Sequence, residues 1–205
     1  MECPVILKNA RGIFNIKHKK MNLKKELENY VPFDEREAAD KKIMLEALEK
    51  YPDIFTRENS LAHFTASSWV TNPDRTKILM AYHRIFDEWA WSGGHADGEN
   101  NLLAVAEREL CEETGVKAPR LLSDGIYAVE IIPVDAHVRR GELVSPHLHL
   151  DVCYLFEADE TEELRAKEDE NTGVKWIPVE EAVSQTKEAK IETIYSKLNE
   201  KLKSF

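Results

Sequence analysis

A chain of 205 residues with 38 acidic and 28 basic side chains carries a formal net charge of −10, and has room for one domain plus an extension or for two small domains. That charge argues against nonspecific nucleic-acid binding, which needs a basic stripe, and no segment is apolar enough to span a membrane. Cys3, Cys111 and Cys153 are widely spaced and suggest no disulfide framework or zinc knuckle; the N-terminus has no signal-peptide shape, so a cytoplasmic location is expected.

Residues 1–20 set Lys8, Arg11, Lys17, Lys19 and Lys20 against one acid, Glu2. They read either as a hairpin or arm packed on the body, or as an addition upstream of an original start at Met21. Residues 21–50 read as two helices broken at Pro32, with Asn22 and Asp34 as N-caps. In the second helix Ile43, Leu45, Leu48 and Tyr51 supply the apolar spacing and the charges read as a solvated face. From Leu61 the pattern turns to strands. Thr65–Thr71 and Lys77–His83 flank the turn signal Asn72-Pro73-Asp74-Arg75 and predict a hairpin. Glu88–Trp91 is a short strand leading into Gly93-Gly94, followed by a helix that ends at Gly115. Gly125–Val134 and His147–Ala158 read as long strands joined by a polar loop, and Val174–Ile177 as a further strand. Pro178 opens a short helix, and residues 187–203 form a last amphipathic helix through Ile191, Ile194, Tyr195, Leu198 and Leu202. A mixed sheet between helical layers fits this order.

The run Arg108-Glu109-Leu110-Cys111-Glu112-Glu113-Thr114-Gly115-Val116 carries the chemistry. At ~100° per residue, Glu109, Glu112 and Glu113 fall within ~100° of helical arc, while Leu103, Ala106 and Leu110 face a core on an adjacent arc. Three acids so close repel one another. A hard divalent cation with oxygen ligands, Mg²⁺ or Mn²⁺, offsets that repulsion. The glycine-rich loop ahead of the helix suits a phosphate, and Gly115 suits a left-handed cap.

These residues resemble the Nudix box: glycine, five residues, Glu, seven residues, then Arg-Glu-aliphatic-any-Glu-Glu-any-Gly-aliphatic. Gly94 and every fixed position from Arg108 to Val116 match; the first Glu of the pattern is replaced by Asn100, with Glu99 one residue early. The resemblance implies an α/β/α sandwich with a mixed sheet over residues 61–205, preceded by an N-terminal arm and helical extension over residues 1–60. It implies a metal-dependent pyrophosphohydrolase in which water attacks a phosphorus of a nucleoside diphosphate linked to another moiety. On this chain Glu112 and Glu113 correspond to metal ligands, Glu109 to a further ligand or the base, and Arg108 to the residue that orients a glutamate. The Gly93 carbonyl would complete the metal shell, Glu170 (with Glu168 behind it) would add a loop carboxylate, and Gly94 and His95 would meet substrate phosphate. The partner is a small molecule, and a homodimer is compatible with the family.

His147, His149 and Asp151 share one face of a strand, which suits a second metal site or a substrate wall or, more simply, a polar outer face. His63 reads as structural, Trp176 as core, and Tyr82, Phe86, Trp89 and Trp91 as core or base-stacking aromatics. Cys111 has only acids near it and does not read as a nucleophile. Two other readings compete. One is a noncatalytic nucleotide sensor. The other is an isopentenyl-diphosphate isomerase, which needs a cysteine where this chain has Gly93.

Overall fold

The computed structural model describes residues 6–9, 12–15, 22–84, 87–139, 141–167, 169 and 171–205. Strands β1 (Ile6–Asn9) and β2 (Gly12–Asn15) form an antiparallel hairpin, the first of the two arrangements expected for the basic N-terminal segment. Helices α1 (Leu23–Asn29) and α2 (Glu35–Lys50) begin where expected: the Asn22 side chain accepts from the Lys25 amide and Asp34 accepts from the Glu37 amide. Each cap satisfies an amide that the helix itself leaves orphaned.

The sheet that follows is mixed and eight-stranded. Its strands are β3 (Ala62–Thr71), β4 (Lys77–His83), β5 (Glu88–Ala90), β6 (Ser92–His95), β7 (Arg120–Leu121), β8 (Ala128–Val134), β11 (His147–Glu157) and β12 (Asn171–Pro178). Its spine runs β12-β4-β3-β11-β7, with β5 on β4, β6 on β3 and β8 on β11. Helix α3 (Leu102–Thr114) packs on one face, α5 (Ala189–Leu202) on the other, and the short α4 (Val179–Ala182) follows β12. Strands β9 (His137–Arg139) and β10 (Glu142–Val144) pair within the polar loop expected between β8 and β11, with Gly141 at φ 87° in the turn between them.

The central strands are buried on both faces, and their composition shows why. Along β3, Phe64, Ala66 and Val70 join the cluster of Leu102, Val105, Ala106 and Leu110 from α3, while Trp69 joins Ile194, Tyr195 and Leu198 from α5. Strand period two sends alternate residues into two different cores. The expected β3–β4 hairpin is only partly formed. The two strands meet at Thr71↔Ile78 and then diverge, because β6 takes the edge of β3 and β5 takes that of β4. At the turn, the buried Asn72 side chain accepts from the amides of Thr76 and Lys77, each at 2.9 Å.

Helix α2 differs from its expected faces. Met44 and Ala47 are buried in the α3-side core with Leu23 and Leu27 of α1, whereas Ile43 and Tyr51 are exposed. Two residues read as solvated, Glu37 and Asp40, are buried. Asp40 accepts from the Ile131 amide of β8 at 2.9 Å, so it caps part of a sheet edge. Glu37 accepts from the Phe33 amide and the Tyr30 hydroxyl, and is paired with both Lys197 and Lys201 of α5 at 2.8 and 2.9 Å. Lys197 also pairs with the buried Glu130 of β8. Burial favours neutral Glu37, but hydrogen bonds from Lys197 and Tyr30 and from the Phe33 amide outweigh it and hold the carboxyl below its ordinary value.

Candidate active site

The glycines ahead of α3 lie within the sheet. Gly93 and Gly94 are in β6, opposite Ser67 and Ala66 of β3. A side chain at Gly93 would start 2.7 Å from the Ala66 carbonyl oxygen, so the backbones can approach only with glycine there. At Gly94 the obstacle is the site itself: a Cβ would sit 2.7 Å from Cδ and 2.8 Å from Cγ of Glu109. The Glu109 carboxylate therefore rests directly on the Gly94 backbone. Gly94→Ala is expected to leave the melting temperature within about 2 °C, since a flexible side chain can yield. It should nevertheless lower kcat at least ~10²-fold by displacing that carboxylate; paired thermal scans and turnover measurements check it.

After β6 the chain turns through Asp97, at φ 47°, and Gly98, at φ 92°. Arg57 clamps Asp97 with two hydrogen bonds of 2.7 Å each. Glu99 accepts from the Asn101 amide at 2.8 Å, and the Asn101 side chain caps α3 by accepting from the Ala104 amide. The acid that comes one residue early thus supports the helix start, while Asn100 is exposed. Helix α3 ends at Gly115, φ 77°, whose amide donates to the Cys111 carbonyl, as expected of a left-handed cap.

On α3, Arg108 Nη2 donates to Glu109 Oε1 at 2.9 Å, and the Glu109 side chain is 14 % exposed. Glu112 is half exposed and faces Lys167 Nζ at 3.5 Å; Glu113 is buried. Oxygen donors of this kind, on one arc and backed by a glycine strand, fit a hard divalent cation. Glu168 and Glu170 lie outside the described residues, as does Phe86. Cys111 is disulfide-bonded, against the expectation of no disulfides, and this also removes it as a nucleophile. Cys153 is free and buried.

On the same helix, but at least ~120° of arc away from these acids, Glu107 is buried at 4 % exposure with Oε1 unpartnered among the described residues, and burial pushes its carboxyl up to about 7. The folded chain therefore holds this proton more tightly than the unfolded chain does. Ionised Glu107 lowers stability above pH 7, and the penalty fades as pH falls through 7 toward 4.5. Glu107→Gln is expected to stabilise the protein by about 1–2 kcal/mol at pH 8 and by almost nothing at pH 4.5, as read by denaturant titration at both values.

The opposite face of the same strands carries histidines. Register places His95 beside Thr65, one residue beyond Gly94, so its side chain leaves the sheet on the face away from Glu109. Its ring packs 5.1 Å from that of His63 and 4.8 Å from that of His149. His147 Nε2 lies 3.2 Å from His149 Nε2. Asp151, on the same strand face, accepts from the hydroxyls of Thr65 (2.7 Å) and Ser67 (2.5 Å), and burial raises its carboxyl to about 6. Among the described residues, the His63, His147 and His149 donor atoms form a group within 4.8 Å of one another that could hold a metal ion. Burial pushes His95 down to about 3 and His149 to about 2, so both are neutral at ordinary pH. His63 was read as merely structural. Its place in the cluster follows from parallel register, His149↔His63, which spacing within either strand does not reveal.

The aromatic residues serve mostly as packing. Trp91 contacts Tyr195 and Trp69, while Trp89 stacks edge-on with Tyr82 and carries Lys175 Nζ 4.2 Å above its ring. Trp176 packs against the α3-side core, as expected.

A mixed sheet sandwiched by helices, with a glycine strand pressed against a glutamate-rich helix, is the architecture that the resemblance implies. The chain belongs to the Nudix family: the model of the NUDIX domain matches residues 61–198. The fold is shared with a C. elegans Ap4A hydrolase solved as a binary complex, at TM-score 0.52 and 16 % identity over 69 % of this chain and 98 % of that one. It is also shared with a NUDIX-family hydrolase from Clostridium perfringens, at TM-score 0.50 and 21 % identity over 69 % and 96 % of the two chains. No curated protein matches significantly by sequence. Among the described residues no helix is long and apolar enough to cross a membrane.

Proposed function

We propose that the protein is a metal-dependent pyrophosphohydrolase that cleaves a nucleoside diphosphate linked to another moiety. The supporting observation is the seating of Glu109 on Gly94, with Arg108 bonded to it and Glu112 and Glu113 on the same helical arc. In this reading residues 61–205 are the catalytic domain and residues 1–60 an extension of it.

Glu112 and Glu113 would hold Mg²⁺ or Mn²⁺, and the Gly93 carbonyl and Glu170 would be further ligands. When bound, such a cation would supply charge stabilisation to the phosphoanhydride being cleaved. Glu109 receives the proton of the attacking water or serves as a further ligand, and Arg108 fixes its direction. The absence of a side chain at Gly94 leaves room for the Glu109 carboxylate, beside which the substrate phosphate would lie. His95 faces away from Glu109, so any contact it makes with substrate is from the other side of the sheet.

The test is a panel of nucleoside diphosphate derivatives, including nucleotide sugars and dinucleotides, incubated with Mg²⁺ or Mn²⁺ and with chelator. Phosphate-ester release that needs the metal supports the proposal and names the substrate class. Nucleotide binding without turnover of any compound would instead support a noncatalytic sensor.

A further inference from the structure

We propose that His63, His147 and His149 form a second metal site, selective for a borderline transition cation such as Zn²⁺, on the sheet face opposite the box helix. His95 stands next to it as the nearest fourth ligand.

Four rings from three strands converge there. His63 comes from β3, His95 from β6 and His147 and His149 from β11, with neighbouring ring centres 4.8 to 5.2 Å apart. His63 and His147 are buried and His95 and His149 half-buried, so the rings give up solvation to lie together. The structure fixes the tautomer of two of them. His63 Nδ1 lies 3.1 Å from the Asn59 carbonyl and His147 Nδ1 lies 2.9 Å from the Ser145 carbonyl. A carbonyl only accepts, so each Nδ1 carries the hydrogen, and in the neutral ring each Nε2 presents a lone pair. A backbone carbonyl behind the far nitrogen is the support that metal-binding imidazoles commonly have.

Among the described residues, the lone pair of His63 has no hydrogen to accept. Its Nε2 is buried and unpartnered, in a side chain only 4 % exposed. An unmatched buried acceptor is costly, and a cation at the centre of the group removes that deficit. The spacing also suits a small tetrahedral ion. Two nitrogens each ~2.0–2.1 Å from Zn²⁺ at the tetrahedral angle stand about 3.3 Å apart. The His147–His149 separation is 3.2 Å, and the three donor atoms all lie within 4.8 Å, so small ring rotations close the set.

Ligand type then separates the two sites. Neutral imidazoles favour Zn²⁺ and related ions, whereas the carboxylates of α3 favour Mg²⁺ or Mn²⁺. This inference does not depend on the hydrolase reading, because its readout is binding.

The test uses the full chain without a polyhistidine tag, stripped with chelator and then given Zn²⁺ or Co²⁺. Wild type and Glu112→Gln should each retain one zinc equivalent through gel filtration. His149→Ala and His147→Asn should bind zinc at least ~10²-fold more weakly, since loss of a ligand exceeds loss of its support. Circular dichroism establishes that each variant is folded. Cobalt-loaded wild type should show the intense visible bands of four-coordinate nitrogen ligation, a readout that needs no variant. Substoichiometric zinc, weak six-coordinate cobalt bands, or zinc lost from Glu112→Gln but kept by His149→Ala would each overturn the proposal.

Discussion

Glu112→Gln is expected to lower kcat at least ~10³-fold, about 4 kcal/mol of transition-state stabilisation, while nucleotide affinity stays within about tenfold. The substitution keeps the side-chain size and removes the charge. Glu112 is half exposed and faces Lys167, so its replacement does not disturb the core. Stability should therefore be unchanged, and the loss should appear in turnover. A drop in affinity with turnover intact would place Glu112 in recognition. Single-turnover kinetics alongside equilibrium nucleotide titration separate the two.

The largest effect on stability is expected far from that helix. Glu37 has no exposed surface and holds Lys197 and Lys201 of α5 to the N-terminal helices. Glu37→Ala would leave two buried ammonium groups short of an anion, the Phe33 amide unmatched and the Tyr30 hydroxyl with the Tyr127 carbonyl as its remaining acceptor. Breaking one side of a buried ion network costs about 3–5 kcal/mol. For a chain of this size that lowers the melting temperature by roughly 6–20 °C. A shift below about 2 °C would show that the extension contributes little to the stability of the body. The same network explains why a helical segment preceding the matched domain is packed as part of the protein: Tyr30 also donates to the Tyr127 carbonyl at 3.1 Å.

Local chemistry was legible in the sequence where the partners are near neighbours in the chain. Asn22, Asp34 and Gly115 act as the caps their residue types predict, because capping is decided within four residues. The face shared by Glu109, Glu112 and Glu113 follows from helical period alone. The membership of Glu37 in a buried network was not legible, since Lys201 lies 164 residues away and nothing in α2 announces it. The same holds for the histidines. The His147–His149 pairing follows from strand period, but His63 joins it through parallel register and His95 through the β6 edge pairing. The β3–β4 hairpin was overestimated because the turn at Asn72 is local, whereas the capture of each strand's edge by β5 and β6 is not.

The central claim is that water attacks a phosphorus of a diphosphate held against the metal on the box helix. Turnover of the active panel compound in ¹⁸O-labelled water, read by mass spectrometry of the products, tests it most directly. One ¹⁸O in a phosphate-bearing product, with no label when the metal is chelated, is the predicted result. Label in the alcohol product instead, or undiminished turnover without metal, would contradict the account.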